Sequence, residues 1–393
     1  MTKSSKADFK SRFVLERQDF QCLLDALNGQ GYRLIAPTPR DGAVVYDEIA
    51  AVSDLPIGLT DEQERGTYRL KDGDPGRLFG CGLGPHSWKK FLYPAELRLW
   101  NAHANGSLAI TPDDHHPERL ALIGVRACEL GALRVLDRVL SGGQYHDTVY
   151  EAQRDHLFIV AVNCGRAGNT CFCASMNTGP RAESGFDLAL TEILEPERHY
   201  FVVEVGSEAG QRLFDGVPHQ SALEADVQKA TTIIETTATH MGRHLDTTGI
   251  KDLLYANFEN SEWDEVAARC LTCGNCTLVC PTCFCTTVED VAELTGASAQ
   301  RIRRWDSCFT MDFSYVVGGH VRASARSRYR QWLTHKLAAW IDQFGSSGCV
   351  GCGRCITWCP VGIDLTEEAK TIRAHSQPKP ETKSRKKIHH ENT

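Results

Sequence analysis

Six of the 17 cysteines in this chain fall within sixteen residues, CLTCGNCTLVCPTCFC, from Cys270 to Cys285. Cys270, Cys273, Cys276 and Cys280 follow the pattern C-x2-C-x2-C-x3-C, with Pro281 directly after. The pattern returns in CVGCGRCITWCP as Cys349, Cys352, Cys355 and Cys359, again followed by a proline, Pro360. A [4Fe–4S] cube needs four thiolates converging on a compact object, and cysteines two residues apart can wrap one side of it. In two-cluster ferredoxins the fourth cysteine of each run serves the other cluster. By that rule one cluster takes Cys270, Cys273, Cys276 and Cys359, and the other takes Cys349, Cys352, Cys355 and Cys280. Paired C-x2-C units also build zinc sites, which leaves a non-redox zinc scaffold as an alternative. Zinc, however, takes four ligands, usually as two separated pairs, and has no use for a third evenly spaced cysteine and a Cys-Pro in each run.

Nine cysteines lie outside these runs. Cys164, Cys171 and Cys173 in NCGRAGNTCFC, with Cys128 in GVRACELG, sit just after strand-like segments or in a glycine-containing loop. Strand ends of one sheet can be brought together at a common rim, so these four are candidates for a third iron–sulfur cluster or a zinc. Burial as small apolar side chains is the plainer reading for any one of them. Cys283 and Cys285 follow Pro281 closely and read as packing around a cluster, or as partners of Cys308 in WDSCF. Cys22 reads as core, and Cys81 in FGCGLGP is undecided.

The elements that must position these thiols occupy 393 residues, enough for two or three domains. A 42% hydrophobic fraction with 24% charged residues describes a globular chain able to bury real cores. The net charge of −7 provides no basic excess to neutralise phosphates, which argues against nucleic acid as a main partner. The opening MTKSSKADFKSRF lacks the apolar region of a secretory signal, and no run approaches the apolar length of a membrane span. A cytoplasmic protein without direct membrane insertion is expected. In that reducing compartment clustered cysteines point to metal rather than disulfides.

From about residue 10 to 215 strand-like and helix-like segments alternate. Phe20, Leu23, Leu24 and Leu27 fall on one helical face, closed by Gly29 or Gly31. Residues 32–36, 43–49, 121–125, 156–162 and 200–205 read as strands, and ACELGALRVLDRVL reads as a helix after the third. The order predicts an α/β or α+β domain over 1–218. SALEADVQKATTIIETTATHMGRHL reads as helical. Trp332, Leu333, Leu337, Trp340, Ile341 and Phe344 form a helical stripe ending at Gly345. Residues 219–367 are therefore expected to form a helical ferredoxin-like dicluster domain, and the polar segment 368–393 a disordered basic tail.

No G-x-G-x-x-G opens a helix after a strand, and no P-loop, Ser/His/Asp order or H-E-x-x-H occurs. The chemistry left is one-electron transfer, with the protein positioning the clusters and tuning them by burial and hydrogen bonds to sulfur. The segments LPIGLTDEQERGTYRL, GPHSWKKFLYP, GVRACELGALRVLDRVL, VNCGRAGNTCFCASMNTGP, DLALTEI and VEVGSEAG carry a resemblance that runs from about residue 50 to 367. It continues through RCLTCGNCTLVCPTCFC and RYRQWLTHKLAAWIDQFGSSGCVGCGRCITWCPVGID. Together they resemble the beta subunit of soluble sulfhydrogenase-type nickel–iron hydrogenases, a family that also includes the A subunit of anaerobic sulfite reductase. The resemblance implies a 4Fe–4S dicluster electron-transfer subunit whose ligands match the eight motif cysteines. In the hydrogenases its partners are a flavoprotein subunit that binds FAD and NAD(P), a small iron–sulfur subunit and a nickel–iron large subunit. Service to sulfite or polysulfide reduction, beside sulfite reductase subunits, is the alternative. For Cys128, Cys164, Cys171 and Cys173 the resemblance carries only their presence.

Overall fold

The computed structural model describes residues 12–104 and 108–376. Strands in chain order are β1 (Arg12–Glu16), β2 (Arg33–Arg40), β3 (Ala43–Glu48), β4 (Leu59–Glu64), β5 (Thr67–Asp72), β6 (Glu96–Ala104) and β7 (Leu108–Pro112). They continue with β8 (Leu120–Val125), β9 (Leu157–Val162), β10 (Leu188–Leu194), β11 (His199–Val205), β12 (Gln220–Ser221), β13 (Thr286–Ala292) and β14 (Ser298–Trp305). Eight of these make one sheet in the order β12-β1-β11-β10-β9-β8-β2-β3. The pairs β2/β8, β8/β9 and β9/β10 are parallel, and the flanking pairs are antiparallel.

Strand β8, LALIGV, is buried at every position, as a parallel strand covered on both faces must be. Its alternate residues feed two cores. Ala121 and Ile123 meet Phe20, Leu23, Leu24 and Leu27 of the helix Phe20–Gly29 on one side. Leu120 and Leu122 meet Leu130, Leu133 and Leu136 of the helix Ala127–Leu140 on the other. All five strand segments read from the sequence are strands here, with shifted ends. Strand β10 was not foreseen, because Thr191 and Glu192 interrupt its apolar run. Glu192 is nevertheless buried, accepting the amides of Leu78 at 2.6 Å and Phe79 at 3.0 Å.

The C-terminal half is not wholly helical. Helices Ile250–Ala256, Glu262–Arg269, Ala325–Thr334, Trp340–Phe344 and Leu365–His375 surround a core of Trp263, Val266, Trp332, Leu333, Ile356 and Ile372. Between them lies the hairpin β13/β14, which joins β6 and β7 from the first half in a second sheet, β13-β14-β6-β7. Only Ile302 of β14 is buried, so no alternation of apolar residues announced this hairpin. Cross-strand ion pairs such as Arg301–Asp290 at 2.7 Å line it instead.

The expected boundary at 218/219 falls beside β12, which pairs with β1. The following helix, Glu224–Thr239, packs Ala230 against Ile193, Tyr200 and Val202 of the large sheet. The expected start of the tail at 368 falls inside the helix Leu365–His375. Residues 377–393 of that tail lie outside the described residues.

Candidate metal centres

Both cysteine runs fold the same way. Cys270 leaves the helix Glu262–Arg269, and Thr272 two residues later has a positive φ of 52°. Gly274, at 75°, then starts the short helix Asn275–Leu278, which carries Cys276. In the second run Gly351 at 66° and Gly353 at 78° hold the equivalent positions, and the short helix is Arg354–Thr357. Left-handed backbone at both points turns successive cysteines toward one side. Amides donate to the first sulfur of each run, Thr272 N to Cys270 Sγ at 3.4 Å and Gly351 N to Cys349 Sγ at 3.5 Å.

The fourth cysteines exchange runs. Cys359 lines one cavity with Cys270, Cys273 and Cys276, walled by Phe309, Tyr329, Trp332 and Ile363, with Cys355 also on its border. The amide of Ile363 donates to Cys359 Sγ at 3.3 Å. Cys280 lies near enough to Cys349, Cys352 and Cys355 to act on the thiol of each. Burial pushes the Cys349 thiol up to about 12 against Lys336 and the Gly351 amide, while the nearby sulfurs of Cys352 and Cys280 raise it further. Burial likewise drives Cys355 well up, with Cys349, Cys352 and Cys280 adding to the rise.

The donor chemistry fits clusters of iron and sulfide. Tyr329 and Trp332 line the first cavity, and each buries a donor, the Tyr329 hydroxyl and Trp332 Nε1, that has no acceptor among the described residues. Buried donors are ordinarily satisfied, and cluster sulfurs are acceptors of the right kind. Among the described residues no three Cys, His, Asp or Glu side chains are placed around a single metal ion.

The structure also brings Cys128, Cys164, Cys171 and Cys173 to the carboxyl ends of β8 and β9. Cys128 lies in the first turn after β8 and Cys164 just beyond β9. A Cβ placed on Gly179 would lie 3.1 Å from Cys173 Sγ and 3.6 Å from the Cys128 amide. Cys171 Sγ is 3.8 Å from the carbonyl of Cys352, and Phe172 N donates to Gly351 O at 2.8 Å. A Cβ on Gly351 would stand 2.7 Å from the backbone of Phe172 and Cys173, so only glycine lets the second run lie on this loop. Burial raises the Cys128 thiol well above its ordinary value, with Cys173 and Cys352 next in effect. Cys128, Cys171 and Cys173 thus lie at the edge of the second run, with Cys164 just beyond β9. Met241 Sδ stands 3.9 Å from Cys173 Sγ.

Cys283 and Cys285 sit between two lysines. Lys89 Nζ donates to the Cys283 carbonyl at 2.9 Å and lies 3.8 Å over the Trp305 ring. Asp306 N donates to the Cys285 carbonyl at 2.9 Å, which brings Cys308 close. A hydrogen bond with Cys308 pulls the Cys285 thiol down to about 7, against the opposing effect of burial. Cys308, like Cys270, Cys276, Cys349 and Cys355, packs against the core of the C-terminal half. Cys22 is packed against the first core, and Cys81 is buried.

Two features escaped sequence reading. Lys336 lies one turn from both Trp332 and Trp340 on the buried stripe, and that placement was its only signal. Glu129, almost wholly buried, accepts the hydroxyl of Tyr46 at 2.8 Å, Trp88 Nε1 at 2.9 Å and Arg354 Nη2 at 2.5 Å. This network ties the second run to the large sheet, and nothing local in the sequence marks it.

Two such runs describe an iron–sulfur protein of the dicluster class, and residues 269–363 match the family model of the 4Fe-4S dicluster domain. The chain is also 34% identical over 263 residues to Sulfhydrogenase 2 subunit beta of Pyrococcus furiosus, a match covering 65% of this chain and 74% of that relative. It belongs to the sulfhydrogenase beta-subunit family. No solved structure matches it. Among the described residues no helix is long and apolar enough to cross a membrane.

Proposed function

We propose that the chain is the electron-transfer subunit of a cytoplasmic NAD(P)-linked nickel–iron hydrogenase, working between a flavoprotein subunit and the small and large hydrogenase subunits. The observation that best supports this reading is the likeness to Sulfhydrogenase 2 subunit beta, joined to the cavity that Cys359 shares with Cys270, Cys273 and Cys276. On this reading Cys270, Cys273, Cys276 and Cys359 hold one [4Fe–4S] cluster, and Cys349, Cys352, Cys355 and Cys280 hold another. A cluster bound at either place supplies one-electron transfer without bond making. The chain's own residues fix the sulfurs through backbone turns, exclude water with Phe309, Trp332 and Ile363, and donate hydrogen bonds to the thiolates. Cys128, Cys164, Cys171 and Cys173 are proposed to hold a third cluster beside the second run.

The test is iron, acid-labile sulfide and zinc per chain on anaerobically purified protein. About eight irons supports two clusters, and about twelve supports the third as well. Stoichiometric zinc without iron would overturn the proposal.

A further inference from the structure

The two thiol sets receive different hydrogen-bond donors. The first set is bordered by neutral donors, the Tyr329 hydroxyl and Trp332 Nε1, besides the amides of Thr272 and Ile363. The second set receives a cation. Lys336, only 5% exposed, donates from Nζ to Cys280 Sγ at 3.2 Å and to Thr282 Oγ1 at 3.1 Å. Among the described residues no carboxylate forms an ion pair with it, and its neighbours of opposite charge are the sulfurs of Cys280, Cys283 and Cys349.

Burying an ammonium is costly unless an anion compensates it. Here the compensation has to come from thiolates and from whatever they bind. The backbone adds a second, independent sign. Lys336 lies in a π-helical turn, His335–Ala339, inserted between two α-helical segments, and such turns are rare and concentrate at functional sites. Its carbonyl accepts Gly348 N at 2.9 Å and Ser347 Oγ at 3.1 Å, immediately before Cys349. One residue therefore grips both runs, by its side chain at Cys280 and by its backbone at Ser347 and Gly348, directly before Cys349.

We propose that Lys336 is a positioning residue that holds Cys280 beside Cys349, Cys352 and Cys355, and that its ammonium raises the reduction potential of the cluster bound there. This inference rests on the dicluster reading above. A thiolate-ligated cluster gains one negative charge when it takes up an electron, and burial opposes that gain. The ammonium, fixed against a ligand sulfur, favours the more negative state and offsets the burial. Without it the enclosed second set would hold the cluster that is harder to reduce, and electrons would rest at the more open first set.

The test compares the wild-type chain with Lys336→Met and Lys336→Arg, each purified anaerobically, by iron and sulfide analysis and by redox titration followed by electron paramagnetic resonance. In Lys336→Met one of the two signals is expected to fall in potential. Its reduced-to-oxidised ratio at the wild-type midpoint drops at least about tenfold, which is 59 mV for a one-electron couple. The other signal moves much less, and Lys336→Arg stays near wild type because it keeps the charge. Loss of about four irons in Lys336→Met with none lost in Lys336→Arg also supports the inference, since Cys280 is then no longer held. Two intact clusters with unmoved potentials in Lys336→Met would overturn it, as would equal shifts in both variants. A wild-type chain without clusters overturns the dicluster reading and this inference together, and the wild-type iron count separates the two failures.

Discussion

Around the first thiol set the walls are aromatic and the edge is open. Phe309, Tyr329 and Trp332 line the cavity, while Cys273, Leu271 and Val361 are exposed. Around the second set the walls come from both halves of the chain and carry buried cations. Lys336 meets Cys280, and Arg354, next to Cys355 in the sequence, reaches Glu129 in the first turn after β8. The two runs share left-handed turns at equivalent positions and the same cysteine spacing, so the motif itself does not make this difference. Local sequence builds a place for a cofactor, and the tertiary surroundings decide its charge and its access to solvent.

The comparison breaks most sharply at the exchanged cysteines. Cys359→Ser should abolish the cluster signal of the first set and Cys280→Ser that of the second, each removing about four irons. Iron analysis with low-temperature electron paramagnetic resonance should therefore show a different surviving signal in each variant. Loss of the same signal in both would mean that the fourth ligands do not exchange.

A smaller effect sharpens the contrast in buried charge. Glu129→Gln leaves the Arg354 guanidinium buried beside a neutral partner, and breaking such a pair costs about 3–5 kcal/mol. The urea midpoint should drop accordingly, with the visible signal of the second set lost first on titration. An unchanged midpoint would show that the second run does not depend on the large sheet for its place.

The smallest expected effect lies near the first set. Burial raises the Glu368 carboxyl to about 7; a hydrogen bond with Glu262 adds to the rise, while Arg269, 2.8 Å away, opposes it. A carboxyl whose folded-state pKa lies above its unfolded value contributes stability that is fully present below the unfolded value. That contribution is lost as pH rises through about 7. Glu368→Gln should flatten the decline in unfolding free energy between about pH 5 and 7.5 by roughly 1 kcal/mol, measured by denaturant titration at both ends. A decline of the same size in the variant would remove Glu368 as its source.

The parts legible from sequence are those that neighbouring residues encode. The helical face of Phe20, Leu23, Leu24 and Leu27, the helix after β8 and five of the eight strands of the large sheet could be read from apolar spacing, because each is a run of apolar residues facing a core. The hairpin β13/β14 could not, since Ile302 is the sole residue of its second strand that is buried. The charged residues around it gain meaning only once β14 pairs with β6. Lys336 was hidden for a related reason, as a lysine on an apolar stripe reads as a surface residue until its sulfur partner is known.

By itself the sequence determined the number and type of thiols, their spacing and the glycines that turn them inward, because those properties reside within a dozen neighbouring residues. Tertiary structure alone decided that the loop carrying Cys171 and Cys173 lies against the second run, with Gly351 on its backbone. It also decided that Glu129 faces Arg354 and that Lys336 faces Cys280. These meetings join residues tens to hundreds of positions apart, and the packing of two cores and a shared second sheet sets which charges end up buried together.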